Sequence, residues 1–108
     1  MAKCGIGLAV RLTTNGMFQV DAVTPNSPSQ LYGFFKKGDL ITAVDSVSVI
    51  GFTMDQFVDA VLGDAGTDIT VTTLKLLRSR HLIALYRLRF SAKIVMTYPL
   101  QLIVCRTL

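Results

Sequence analysis

Residues 4–20 read Cys-Gly-Ile-Gly-Leu-Ala-Val-Arg-Leu-Thr-Thr-Asn-Gly-Met-Phe-Gln-Val, and this stretch decides the fold. Leu8, Val10 and Leu12 alternate with Ala9, Arg11 and Thr13, the two-residue period of a strand with one buried face. Asn15 and Gly16 both tolerate positive φ and mark a tight turn, after which Phe18 and Val20 resume the alternation. A β-hairpin is predicted. In front of it, Gly5 and Gly7 carry no Cβ, so the backbone around Ile6 can turn its N–H groups toward one point and let a ligand come close. Such a point suits an anion; the plainer reading of the two glycines is a tight turn.

Working outward, Ser27 can cap a helix, Pro28 suits its first position and Gln30 sits where a capping box needs it; Gly33 ends this helix after about two turns. Lys37, Gly38 and Asp39 punctuate the chain, with Asp39 read as a turn or capping residue. Leu40, Ile41 and Val44, then Val47 and Val49, predict two short strands around a turn at Asp45 and Ser46. Thr53 and Gln56 form a second capping box, and Asp55 favours the first helical turn through the helix dipole. Met54, Phe57, Val58, Val61 and Leu62 make a helical stripe, at least half of which is expected to face the core, and Gly63 and Gly66 end it. Ile69 and Val71 alternate with Thr70 and Thr72 in a strand running to about Lys75. The order is strand, strand, short helix, strand, strand, longer helix, strand, which is a compact α+β unit of antiparallel strands.

The chain has 108 residues, enough for one domain, and its 51% apolar and 17% charged content excludes a disordered chain. The net charge of +4 is unevenly distributed. Residues 1–75 hold all seven acids, each an Asp, against five Lys or Arg; residues 76–108 hold six Lys or Arg and no acid. The chain therefore reads as a unit over 1–75 followed by a basic, hydrophobic tail over 76–108. In that tail Leu82, Ala84, Tyr86, Leu88 and Phe90 alternate with Ile83, Leu85, Arg87 and Arg89, which fits a strand, although a short amphipathic helix fits nearly as well. Cys4 and Cys105 are too few and too far apart for a disulfide framework or a metal site, so a reducing, cytoplasmic setting is preferred. The apolar run after Lys3 is too short for a secretory signal, and the uncharged run 94–105 is too short for a membrane-spanning helix.

Four pieces in register carry a family resemblance: Gly5-Ile6-Gly7-Leu8 entering a strand, residues 23–28 as Val-Thr-Pro-Asn-Ser-Pro, residues 38–44 as Gly-Asp-Leu-Ile-Thr-Ala-Val, and residues 61–67 as Val-Leu-Gly-Asp-Ala-Gly-Thr. Over about residues 4–75 the sequence resembles a PDZ domain, and its glycine-threonine segment before the last strand resembles the PDZ modules of carboxy-terminal processing proteases. The resemblance implies a partly open antiparallel barrel or sandwich of five or six strands with two helices. Two departures stand out. Only four residues precede Gly5, so the family's first strand is missing, and Ser46 stands where the family commonly has Gly. A strand over 82–90 running back along the final strand would fill the vacant place and cover an open edge.

What the resemblance implies for function is a protein-interaction module, as in scaffold and signalling proteins, that binds the carboxy-terminal peptides of other proteins by strand addition. The amides of Ile6, Gly7 and Leu8 would hold the terminal carboxylate, with Gly5 shaping the loop and Lys3 as a supporting charge. The strand through Leu8, Ala9 and Val10 would pair with the peptide, opposite a wall made by Met54, Phe57, Val58, Val61 and Leu62. Ile6, Leu8 and Val61 or Leu62 would line the pocket for an aliphatic last residue. Met54 at the start of the second helix implies an apolar ligand residue two before the end; a register shifted by one turns Asp55 to the groove instead and favours a polar or basic partner. No catalytic residue, metal ligand or cofactor is expected: Ser91 and Lys93 lie two apart on a poorly patterned tail, and His81 has only Arg78 and Arg80 beside it. The tail's cations admit peripheral contact with an anionic membrane, but its few aromatics do not make a specific nucleic-acid motif. The competing reading is the regulatory PDZ fragment of a carboxy-terminal processing serine protease, without its catalytic domain.

Overall fold

A computed structural model describes residues 4–77, 80–90, 96–97 and 102–103. The elements in order are β1 (Leu8–Leu12), β2 (Phe18–Val23), α1 (Pro28–Tyr32), β3 (Leu40–Val44), β4 (Val47–Ser48), α2 (Met54–Ala60), β5 (Asp68–Leu77), β6 (Arg80–Arg89), β7 (Met96–Thr97) and β8 (Leu102–Ile103). β1 to β6 and the two helices form the α+β body. The strands make one antiparallel sheet in the order β6-β5-β3-β2-β1-β8-β7, with β4 beside β3.

The alternation of the first hairpin has a direct outcome in burial. Leu8 and Val10 are buried, Ala9 is half-buried and Arg11 is exposed, but Leu12, expected on the buried face, is exposed at the end of the strand. Phe18 and Val20 are fully buried on the facing strand. A register shift between Ala9 and Val10 leaves Asp21 without a partner on β1. The turn is closed by Thr13 N donating to Met17 O, and Gly16 alone takes positive φ (79°), because three residues, not two, span it.

Both helices start as their caps require. Ser27 Oγ accepts from Gln30 N, but the Gln30 amide oxygen accepts from Asn26 N rather than from the cap residue, which supports the left-handed Asn26 (φ 61°). At α2 the capping box is complete: Thr53 Oγ1 accepts from Gln56 N at 3.2 Å and Gln56 Oε1 accepts from Thr53 N at 2.8 Å. The predicted stripe then divides. Phe57, Val58 and Val61 are buried, whereas Met54 and Leu62 are half-buried against the core. Phe57 stacks on Phe18 with ring centroids 4.1 Å apart, which fixes α2 over the sheet face that carries Leu8 and Val10.

β6 resolves the strand-or-helix ambiguity of the tail. It pairs with β5 along its whole length, from Asp68 opposite Arg89 to Leu77 opposite Arg80. Its alternation holds where it meets the core: Leu88 and the following Phe90 are buried and Tyr86 is half-buried, while Ile83 and Leu85 are exposed. Toward its start the hairpin leaves the core, so Leu82 is exposed although it lies on the inward-facing set.

One buried ion pair joins distant segments. Lys75 Nζ donates to Asp39 Oδ2 and to Phe34 O, and sits 5.4 Å from the centre of the Tyr86 ring. Asp39 Oδ2 also accepts from Lys36 N at 2.9 Å, so the expected turn role is kept and a charge partner is added. Burial weighs most against the Lys75 ammonium, but the Asp39 hydrogen bond, with the contribution of Tyr86, outweighs it and raises the Lys75 pKa above its ordinary value.

Candidate functional site

Loop 5–7 is clamped from behind through its carbonyls. Ile6 O accepts from Ser29 N at 3.0 Å, at the start of α1, and Gly7 O accepts from Thr24 N at 2.8 Å, just past β2. One residue earlier, Cys4 N donates to Gly63 O at 2.7 Å and Gly63 N donates to Cys4 O at 2.9 Å, which ties the loop's entry to the segment after α2. Three separate parts of the fold thus hold the acceptors. Among the described residues, the N–H groups of Gly5, Ile6 and Gly7 donate to no backbone carbonyl. Gly5, Ile6 and Gly7 are themselves buried.

Gly7 is required there for two reasons. Its φ is +81°, a region L side chains rarely adopt, and a Cβ would lie 2.1 Å from Ser27 Cβ. The side chain of the α1 cap residue therefore packs directly under the loop.

Each predicted site residue has a definite place. Gly5, Ile6, Gly7 and Leu8 are buried; Val10, Phe57, Val58 and Val61 join them, while Ala9, Met54 and Leu62 are half-buried. Ile6, Leu8, Val10, Phe57 and Val61 lie in a single core cluster, so loop, strand and helix are brought together on one side of the sheet. These five are at most 1% exposed and act first as core. Asp55 lies exposed in the first turn of α2. Lys3 lies outside the described residues, as do Ser91, Lys93 and Cys105. His81 is exposed on β6. Among the described residues no three His, Cys, Asp or Glu side chains gather as a metal site, and no helix is long and apolar enough to cross a membrane.

Two features of the neighbourhood were not read from sequence. Phe90 packs on Gly63, where a Cβ would lie 2.2 Å from its ring. Phe90 N donates to Thr67 O and Phe90 O accepts from Gly66 N, so the residue after β6 is held at both backbone groups. The glycines at 63 and 66 and the apolar alternation ending at Phe90 were the available signal. The second feature is β8 on the free edge of β1, with Leu102 opposite Ala9; a two-residue strand leaves no periodicity to detect.

This is the architecture of a small antiparallel α+β domain, and comparison with known proteins gives its family. A PDZ-domain family profile matches residues 19–75, more than half of the chain, and the chain belongs to the PDZ domain family. Its fold is similar to the PDZ domain of the carboxy-terminal protease from Vibrio cholerae, solved in complex with peptide: the TM-score is 0.72 at 20% identity, covering 83% of this chain and 94% of that one. It is also similar to the photosystem II D1 C-terminal processing protease (TM-score 0.73, 21% identity, 83% of this chain and 23% of that one). The HtrA-type protease AlgW with a decapeptide matches with a TM-score of 0.68 at 14% identity, over 91% of this chain and 31% of that one. The chain thus spans less than a third of either of these last two proteins. No curated protein sequence matches it.

Proposed function

We propose that this PDZ domain binds the carboxy-terminal segments of other proteins by accepting them as an added strand on β1, without catalysis of its own. The observation that carries the reading is loop 5–7: its carbonyls are held by Ser29 and Thr24, and its amides donate to no described backbone carbonyl. A terminal carboxylate is the ligand those amides suit, and charge-assisted hydrogen bonds contribute about 1.5–3 kcal/mol each. The Vibrio cholerae PDZ domain solved in complex with peptide, and the HtrA-type protease AlgW solved with a decapeptide, support the same use of the fold. In this reading Ile6, Gly7 and Leu8 supply the amides, Lys3 adds positive charge, and Ala9 and Val10 continue the pairing. Met54 at the start of α2 and Leu62 just past its C-cap, both half-buried, offer the apolar surface that a ligand with an aliphatic last residue would cover. The two lone cysteines fit a cytoplasmic role in protein assembly.

We read β6, which closes the sheet beside β5, as taking the place of the family's first strand. Peripheral contact of the tail's basic residues with an anionic membrane is a minor role beside this, since Arg87 and Arg89 are already paired with Asp68.

The likeness to PDZ units of carboxy-terminal proteases favours a second reading, in which the chain is the regulatory unit of such a protease. Titration of the full chain with peptides that differ only in a free or amidated end tests the first reading. Micromolar binding that weakens at least about tenfold on amidation supports carboxylate capture; equal binding of both forms overturns it. Cleavage of either peptide by the purified chain contradicts the non-catalytic role.

A further inference from the structure

β1 has two edges. One pairs with β2, and the other already carries a strand of the same chain: Leu102 of β8 lies opposite Ala9 in an antiparallel pairing, and β8 is backed by β7 through Thr97 opposite Leu102 and Met96 opposite Ile103. The sense of the pairing matters. β1 runs away from loop 5–7, so the antiparallel β8 runs toward it. A peptide whose terminal carboxylate reaches loop 5–7 while its backbone pairs with β1 must run in that same sense along that same edge.

We infer that β8 is a built-in occupant of the peptide edge, so that a ligand binds only by displacing it. This rests on the reading of β1 as the peptide-pairing strand. The arrangement suits a reversible latch. Among the described residues β8 meets β1 at one register position, whereas β5 and β6 pair along their whole length, so the first is far easier to release. β8 belongs to the same chain as β1, so it is presented to that edge at an effective concentration on the order of millimolar. A weak strand held at that concentration competes well with a micromolar ligand present at cellular levels, and it covers an edge that would otherwise pair with other chains.

The test compares the full chain with a full-length Leu102→Pro, Ile103→Pro variant. Proline removes both ladder donors and fixes φ, which breaks strand pairing whatever the side chains contact. Two readouts are taken: hydrogen exchange at the β1 amides, and titration with a peptide ending in free-acid valine. Exchange at β1 is expected to accelerate at least about tenfold while the Val71 amide in the core stays protected, and the peptide is expected to bind about tenfold more tightly. A Leu102→Gly, Ile103→Gly variant, which keeps the donors and loses only strand preference, should move both readouts the same way to a smaller degree. Unchanged exchange and unchanged affinity in a chain that binds the peptide overturn the latch and leave the peptide reading standing. Accelerated exchange with no binding by any variant overturns the peptide reading and the competition with it. Protection that falls on dilution assigns the strand to a second copy and overturns the intramolecular latch.

Discussion

The ring of Phe90 occupies the space where any side chain at Gly63 would begin, with Cε2 2.2 Å from the position of a Cβ. Gly63 in turn exchanges two backbone hydrogen bonds with Cys4, immediately before loop 5–7. A residue far down the chain therefore supports the entry to the candidate binding loop. Phe90→Ala should cost about 3–5 kcal/mol by cavity formation, read as a lower urea midpoint with an unchanged slope. Gly63→Ala should also destabilise, because it expels a ring that is almost fully buried. Wild-type stability in either variant would show that the segment after β6 is not part of the folded core.

The Asp39–Lys75 pair should behave as a buried structural tie. Its side chains are only 9% and 10% exposed, so removing one partner strands the other charge. Asp39→Ala should cost about 3–5 kcal/mol, and a paired Asp39→Leu, Lys75→Met replacement should recover much of that loss. Urea unfolding of Asp39→Leu, Lys75→Met and the double variant beside the unchanged chain provides the cycle that measures the coupling.

Two perturbed groups set the pH dependence. The Lys75 pKa is raised in the folded chain, so its stabilisation is fully present below the ordinary lysine value of about 10.4 and is lost as pH climbs through the folded value. The Asp68 pKa is lowered, chiefly by the Arg89 hydrogen bond, which with help from Arg87 outweighs the opposing effect of desolvation; its contribution is present above about pH 4 and is lost as pH falls through the folded value. Neither group titrates between about pH 5 and pH 9, so the melting temperature should show no inflection from them across that range. Lys75→Met should remove the alkaline loss, and Asp68→Asn the acid one.

Ser46 holds φ at 66° directly after Asp45 at 49°, in the tight turn between β3 and β4. Asp45 has a compensating role, since its Oδ1 accepts from Thr70 N at 2.9 Å and its N donates to Thr70 O at 2.8 Å. Among the described residues Ser46 has no such bond to offset the left-handed conformation. Ser46→Gly should therefore stabilise by about 0.5–1 kcal/mol, and Ser46→Val should destabilise. Thermal melts of the two variants should move in opposite directions.

Most of the fold was legible because its signals are local. The Leu8, Val10, Leu12 alternation, the Thr53 and Gln56 box and the Phe57, Val58, Val61 stripe each fit within one element and its caps, and each corresponds to an element of the structure. Loop 5–7 was legible as a turn poor in Cβ atoms, but the partners that hold it, Ser29, Thr24 and Gly63, come from three other segments and leave no spacing rule in the sequence. The same holds for Lys75, which reads as the end of a strand and becomes a buried charge partner only when β5 lies beside the Asp39 turn. β6 alternated clearly from Tyr86 to Phe90, yet its outer half carries Leu82, Ile83 and Leu85 in exposed positions, where apolar periodicity reports strand pairing without core burial.

The central claim is that a carboxy-terminal segment docks with its carboxylate at loop 5–7 and its backbone along β1. The most direct measurement is the amide spectrum of the full chain titrated with a free-acid peptide ending in an aliphatic residue. The account predicts that the largest and saturable shifts fall on Ile6, Gly7, Leu8 and Val10, and that the amidated peptide leaves Ile6 and Gly7 unmoved. Shifts confined to the open edge of β6, or identical responses at Ile6 and Gly7 to both forms of the peptide, would contradict it.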